Sequence, residues 1–410
     1  VDVNAYYALG IPGYLLVIAL ELALGRRRGA SDYGFADSIG NLSAGMGEVL
    51  VGLFLGPSLV ALYDWAFTHL ALVRWAPGAV FPWVLAFFVG DLCYYVYHRA
   101  GHRVAVFWAI HGVHHQSERF NVTLAIRHPW LSDSYAAIFY APLPLLGVTS
   151  TQFFLAIAII SFYSLTIHTR IFRRPGFFLL TTPDSHIVHH ARNPRYIGRN
   201  LGAMFTLWDR IFGTHVEVLP HDPPELGARV GYQTHDGALA QVLFFRDLLH
   251  LARQTPALRD KIRVFLGPPG WIPPGASLPV RPPARPEEAI PAATRGYVLA
   301  HFTLASLLAV YLLWLRARHP LWLQGLLFLL LVHALTSLGG LLDGRSSARS
   351  HELLRLAAWG VVGGVLLGVP GQTILGACLL GAAALGLLWL RAPGLRDAAL
   401  GAPLAQARDQ

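Results

Sequence analysis

The sequence predicts an all-α, polytopic integral membrane protein of about nine transmembrane or re-entrant helices, with a histidine dimetal site at the cytoplasmic face. Three observations predict it. Of 410 residues, 54% are hydrophobic and only 13% charged, with a mean hydropathy of +0.46; a soluble domain carries about 25% charged residues. Apolar runs long enough for a bilayer, which needs about 20 residues per helix, recur along the chain. Ten of the nineteen histidines fall between positions 98 and 190, under a quarter of the length.

The same composition excludes a disordered chain and argues against an ordinary soluble enzyme. The net charge is +9, and of 32 basic residues only Lys261 is lysine. This balance fits arginines lining the cytoplasmic side of a membrane protein better than a nucleic-acid surface. Two cysteines, Cys93 and Cys378, both in apolar runs, exclude a disulfide scaffold, a cysteine-ligated iron–sulfur centre and a zinc ribbon.

The first apolar run, Tyr6–Leu24, is followed at once by Arg26, Arg27 and Arg28. A signal peptide has the reverse order, so this reads as an uncleaved anchor with its N-terminus outside. Ser43–Tyr63 and Gly78–Tyr97 are the second and third spans. Ser134–Thr149 and Thr151–Ile167, interrupted by Pro142 and Pro144, are two short spans or a re-entrant hairpin. Residues 170–295 are polar, and nine of the 27 prolines lie between Pro268 and Pro291, as in an extended linker. Gly296–Leu315, Leu321–Leu342, Leu353–Val369 and Gly371–Leu390 complete the spans. The division is therefore 1–77, membrane anchor helices; 78–216, the histidine-box catalytic region; 217–295, a cytoplasmic segment with the proline-rich linker; and 296–410, a four-helix membrane block. With Arg26–Arg28 inside, the histidine-rich stretches, residues 170–295, Arg345, Arg349 and Arg391 also fall inside. Arg74, Arg316 and Arg318 fall outside, a minority.

Histidine spacing carries the chemistry. His98 and His102 are four apart at the end of the third span; His111, His114 and His115 form H-x-x-H-H, and His186, His189 and His190 repeat it. Helical residues three and four apart share a face, so each box is expected to present its imidazoles to one point. His168 ends the hairpin on the same side. Imidazole suits iron, copper, zinc and nickel. A zinc site takes about four ligands, whereas eight or nine histidines supply two metals. Two metals with open positions suggest oxygen chemistry, for which iron is the natural choice. His69, His301 and His333 read as core or interfacial side chains, and His215, His221, His235 and His250 as surface residues. His128, in Arg127-His128-Pro129, stands apart from the boxes. Glu21 and Glu48 lie inside apolar segments, an expensive placement in a bilayer, with no role evident from the pattern.

The runs DLCYYVYHRAGH (91–102), HGVHHQSERFN (111–121), HIVHHARNPRYIGRNLG (186–202) and WDRIFGT (208–214) resemble the fatty acid hydroxylase/sterol desaturase superfamily of membrane enzymes with histidine-ligated dimetal sites. Within it the chain is most similar to the alkylglycerol monooxygenase group, on three features: His168 in IHTR, the run GPPGWIPPG (267–275), and extra spans after the catalytic region. The pattern differs at Asp184-Ser185, where that group has Ser-His. The resemblance implies that His98, His102, His111, His114, His115, His186, His189 and His190 ligate metal, with His168 the ninth. Ligating imidazoles usually donate their other N–H to a carboxylate or carbonyl. Asp91, seven residues before His98, is a candidate partner, as are Glu118, Asn121, Asn193, Asn200 and Asp209.

The reaction so implied is oxidation of an unactivated lipid C–H bond with dioxygen by two Fe²⁺ ions, the protein supplying placement and electrostatics. In the alkylglycerol group the product is a hemiacetal that collapses to an aldehyde and glycerol, with tetrahydrobiopterin as external reductant. The alternative in the same class is a sterol, fatty-acyl or carotenoid hydroxylase or desaturase fed by a ferredoxin or cytochrome. A membrane zinc hydrolase is the alternative from another class, disfavoured because no H-E-x-x-H occurs. A transporter or metal store is disfavoured because the ligands cluster at one interface. No nucleic-acid partner is expected.

Overall fold

The computed structural model describes residues 3–29, 32–171, 179–228, 232–281 and 284–391, with side chains from Gly13 onward. Pro282 and Pro283 of the proline-rich stretch, and the end of the C-terminal block at 392–410, lie outside the described residues. Among the described residues every regular element is helical, and β-pairing is limited to isolated bridges such as Leu180 with Phe205. The chain forms two compact units, one from residues 1–33, 51–233 and 240–282, the other from 34–50, 234–239 and 283–410.

The first unit contains α1 (Val3–Arg28) and most of α2 (Phe35–Leu70), then α3 (Phe81–Arg103), α4 (Ala105–His111), α5 (Val122–Ala125), α6 (Ser132–Tyr140), α7 (Pro142–Leu145), α8 (Ser150–Thr166), α9 (Pro183–His189), α10 (Leu207–Ile211), α11 (Gly237–Gln254) and α12 (Leu258–Leu266). Its axis is α3, which packs against α4, α6, α7 and α8. Proline in the first turn starts α3 where a missing N–H costs nothing. Ala86, Cys93 and Tyr97 form its buried stripe, covered by Tyr135, Tyr140, Leu143, Phe153 and Ala156. The helix runs past the apolar segment and so carries His98 and His102 beyond it. Val104 then adopts an extended conformation, which ends α3 and starts α4 at a new angle.

The second unit holds the start of α2 with α13 (Ala292–Leu315), α14 (Leu321–Asp343), α15 (Ala348–Leu367) and α16 (Thr373–Leu390). Its core includes Ala36, Ile39, Tyr297, Val298, Leu335, Leu338 and Leu356. His301 lies buried here, accepting from Arg355, which is itself paired with Glu352.

Four described helices are long and apolar enough to cross a bilayer: Phe35–Leu70, Ala292–Arg318, Leu321–Asp343 and Thr373–Leu390. The expected segment Ser134–Thr149 is not one helix. It is the nine-residue α6 and the four-residue α7. Pro142 and Pro144 lack the N–H groups a continuous helix would need, and Gly147 turns the chain at φ +76°. Together the two pieces reach about 20 Å at 1.5 Å per residue, short of a bilayer core of about 30 Å. Helix α8 begins with a capping box, Thr149 and Gln152 each bonding the other's backbone N–H.

Candidate metal centre

Nine histidines converge in this unit in two groups. His98, His102, His111, His115 and His189 form one; His114, His168, His186 and His190 form the other. Within each group the candidate ligand nitrogens lie within 4.8 Å of one another. His102 is half-buried and the other eight are buried.

The boxes do not each point to one place, as their spacing suggested. Members four apart stay together: His111 with His115, and His186 with His190. The middle member of each H-x-x-H-H box crosses to the other group, His114 to one and His189 to the other. The physical cause in the second box is local. His114–Gln116 is a 3₁₀ turn, in which successive side chains diverge by about 120°. In the third box the helix ends at His189, leaving His190 as its C-cap. Pro183 and the Thr182–Ser185 capping box begin that helix and set its register.

Distances within the groups test whether a metal fits. His98 Nε2 lies 3.0 Å from His111 Nε2, which lies 3.1 Å from His115 Nε2. In the second group His168 Nε2 lies 2.8 Å from His186, 3.3 Å from His190 and 3.3 Å from His114. Nitrogens bound at about 2.0–2.1 Å to one ion sit about 3 Å apart. The outer nitrogens decide the tautomers. The Nδ1–H groups of His98, His114, His168 and His189 donate to the carbonyls of Leu201, Arg127, Ser164 and Arg199, at 2.7, 3.2, 2.7 and 3.0 Å. A neutral imidazole that donates through Nδ1 offers a lone pair at Nε2. The Nε2 atoms of His168 and His114 are therefore two facing lone pairs. The Nε2 atoms of His102 and His189 are buried with no hydrogen-bond partner. Such an arrangement is costly unless a cation sits among the nitrogens. The donor set fits a metal in each group.

Burial holds these rings neutral. It pushes His98 down to about 4 and His168 down to about 3, against an ordinary value near 6.5. The other seven are also pushed well below it, by burial first and by neighbouring histidines second. Neutral imidazole is the form that binds metal. Each group has an aromatic cover. Trp108 lies 5.2 Å from the His102 ring and 5.4 Å from His115. Phe120 lies 5.8 Å from His168 and 5.6 Å from His190.

The six polar candidates stand one step further out. Asp91 does not take the His98 N–H; seven residues of helix separate them by about 10 Å. Its carboxylate accepts instead from Met204 N, Phe205 N and Trp208 Nε1, at 3.1, 3.4 and 2.9 Å. Asp209 accepts from Leu201 N and Gly202 N, both at 2.8 Å, and from Thr214 Oγ1 at 2.7 Å. The two aspartates thus fix the loop whose Leu201 carbonyl orients His98. Asn200, at φ +50°, donates to Ser185 O and Val216 O, both at 2.8 Å, tying this loop to α9. Asn193 binds Asp222 and Glu225 N at 2.7 Å each. Glu118 pairs with Arg192 at 3.1 Å on the surface. Asn121 caps α5 and donates to Asp32 O at 2.7 Å.

Two further residues, to which the sequence pattern assigned no role, support the site. Arg127 is buried, donating to Val113 O at 2.8 Å and Gln116 Oε1 at 2.6 Å, so it clamps the second box from behind. Glu21, buried on α1, accepts from Val122 N at 2.8 Å and from the hydroxyls of Thr169 and Tyr33. Thr169 follows His168 directly, and Val122 lies two residues beyond Phe120. His128 approaches His114, ring to ring, at 6.0 Å, outside both groups.

The fatty acid hydroxylase family pattern matches residues 83–214, the stretch that carries all nine histidines. The alkylglycerol monooxygenase of Danio rerio is 31% identical over 86% of this chain and 81% of its own length. That of Homo sapiens is 28% identical over the same shares, and the fatty acid hydroxylase vlmA of a Lecanicillium species is 26% identical over 40% of this chain and 50% of its own. No solved structure matches. With two imidazole groups that could each hold a metal ion inside the matched stretch, the chain belongs to the alkylglycerol monooxygenase family of lipid-hydroxylating membrane oxygenases.

Proposed function

We propose that this chain hydroxylates an alkylglycerol ether lipid at the carbon beside the ether oxygen, with two iron ions held by the nine histidines. The observation that carries the reading is the division of those imidazoles into groups of five and four with lone pairs turned inward. Bound iron supplies the one-electron chemistry with dioxygen that oxidation of an unactivated C–H bond requires. The protein's own part is placement. Four main-chain carbonyls hold imidazole orientation, Trp108 and Phe120 exclude water, and the apolar helices accept the lipid tail. Overall, one oxygen atom enters the C–H bond and the other leaves as water, with two electrons and two protons from a tetrahydropterin. The hemiacetal then breaks its C–O bond to give an aldehyde and glycerol.

In the same reading, about nine transmembrane or re-entrant segments place the histidines at the cytoplasmic face, α6–α8 forming the re-entrant pair. Residues 78–216 carry catalysis, 1–77 anchor the chain, 217–295 form a cytoplasmic segment with the proline-rich linker, and 296–410 form a four-helix membrane block that binds neither metal. A zinc hydrolase is disfavoured because, among the described residues, neither histidine group includes a carboxylate to serve as general base. The purified protein in lipid nanodiscs, given an alkylglycerol, oxygen and a tetrahydropterin, is expected to release fatty aldehyde and glycerol. Hydroxylated or desaturated sterol or fatty-acyl product, with no aldehyde from the ether lipid, would replace this substrate by the alternative class.

A further inference from the structure

The histidines do not account for α12. This nine-residue helix, LRDKIRVFL, lies in the polar stretch after the boxes and contains the chain's one lysine. Its residues Leu258, Ile262 and Leu266 are 71%, 50% and 63% exposed. They are four apart, so they form one stripe along the helix. At 100° per residue, Arg259 and Arg263 flank this stripe on one side and Lys261 on the other. All three are exposed. Asp260 and the buried Val264 lie on the opposite face. That face meets α4: the Gly267 carbonyl at the end of α12 accepts from Ala105 N at 2.9 Å. Helix α4 in turn carries Trp108 and His111.

Water is a poor neighbour for three such side chains in one row, and the basic flanks on both sides call for an anionic one. An apolar stripe bordered by cations is the pattern of a helix lying in the plane of a membrane surface, its side chains reaching about 5–10 Å into the headgroup and acyl boundary. Long basic side chains at the border extend their charge outward to the phosphates. The nearby Arg263 guanidinium lies 4.4 Å over the Trp271 ring, and indole is itself enriched at membrane interfaces. We propose that α12 is an in-plane membrane helix, its Leu258–Ile262–Leu266 stripe inserted into an anionic lipid surface and its arginines and lysine set against lipid phosphates. Through α4 it fixes the depth of the first histidine group relative to that surface.

The test uses the full chain in nanodiscs, with Cys93→Ala and Cys378→Ala as background and a spin label at Ile262→Cys or at the exposed control Glu217→Cys. Collision with oxygen reports lipid, and collision with a water-soluble nickel chelate reports solvent. The Ile262 label is expected to favour oxygen several-fold over the control. Replacing Arg259, Lys261 and Arg263 by Glu should move that label toward water in bilayers containing phosphatidylserine, with less change in purely zwitterionic ones. A label at Ile262 as open to nickel as at Glu217 overturns the proposal in favour of a solvated helix. A label shielded from both reagents overturns it in favour of a protein partner or a second copy.

Discussion

Glu21 shows how a single acidic residue in an apolar helix sustains a distant site. Its carboxylate takes three donors, from Val122 N, Thr169 and Tyr33. Removing a buried acceptor leaves each former partner short of a hydrogen bond, at about 1–3 kcal/mol per group. Glu21→Ala is expected to lower the melting temperature by several degrees and to reduce metal in the His114–His168–His186–His190 group before the other. Glu21→Gln, which keeps one acceptor oxygen, should be milder; thermal denaturation with metal analysis reads both. Acid acts on the same scale. The buried imidazoles have folded values below the unfolded value of about 6.5. Below pH 6.5 the unfolded chain takes up protons that the folded chain refuses until about pH 4 at His98 and about 3 at His168. The stability they contribute is complete above 6.5 and is lost as pH falls through that window. The metal-free protein should therefore denature more readily at pH 5 than at pH 7.5 in a urea titration; equal midpoints would contradict the burial. Eight of the nine histidines were legible in the sequence because repeated i, i+3, i+4 imidazoles have few other reasons to occur together; His168, alone in its stretch, was placed by the hairpin end and the resemblance. Glu21 and Arg127 were not legible. Glu21 lies 101 and 148 positions from the partners Val122 and Thr169, and no local pattern records such distances.

At the level of elements, short irregular pieces matter more than long helices. The 3₁₀ turn at His114–Gln116 and the end of α9 divide the boxes between two groups, and the loop at 200–206 orients His98 through a carbonyl. Apolar run length anticipated the long helices well, since α3, α8 and α13–α16 follow those runs closely. Pro142 and Pro144 marked the interruption at which α6 gives way to α7. Spacing could not reveal the crossing of His114 and His189, because neither the 3₁₀ turn that holds His114 nor the helix end at His189 has a signature in residue type. Gly202 offers a check on the loop. A Cβ there would stand 2.3 Å from the Phe205 carbonyl and 3.0 Å from Asp209 Oδ2. Backbone cannot yield to that contact without moving the Leu201 carbonyl. Gly202→Ala is expected to lower metal content in the His98 group and to cut turnover by about 10–100-fold, as losses of ligand-orienting partners do. Unchanged iron content and rate would show that the loop does not position His98.

For the whole molecule, the proposal sets the histidine-bearing unit at the cytoplasmic side, on the strength of Arg26–Arg28 and the later arginines. Glu118 and Glu225 are exposed enough to report this, at 50% and 66% of the side chain. Single cysteines at these positions, in a background lacking Cys93 and Cys378, should resist a membrane-impermeant maleimide applied to intact cells and react after lysis. Labelling from outside would invert the topology. The comparison that bears most directly on the two-metal claim is elemental and spectroscopic analysis of the purified full chain beside a His168→Ala variant. The account predicts about two irons per wild-type chain with nitrogen-only protein ligands by X-ray absorption, and about one in the variant, retained by the group of five. A single zinc per chain, or a His168→Ala protein that folds and keeps both metals, would contradict it.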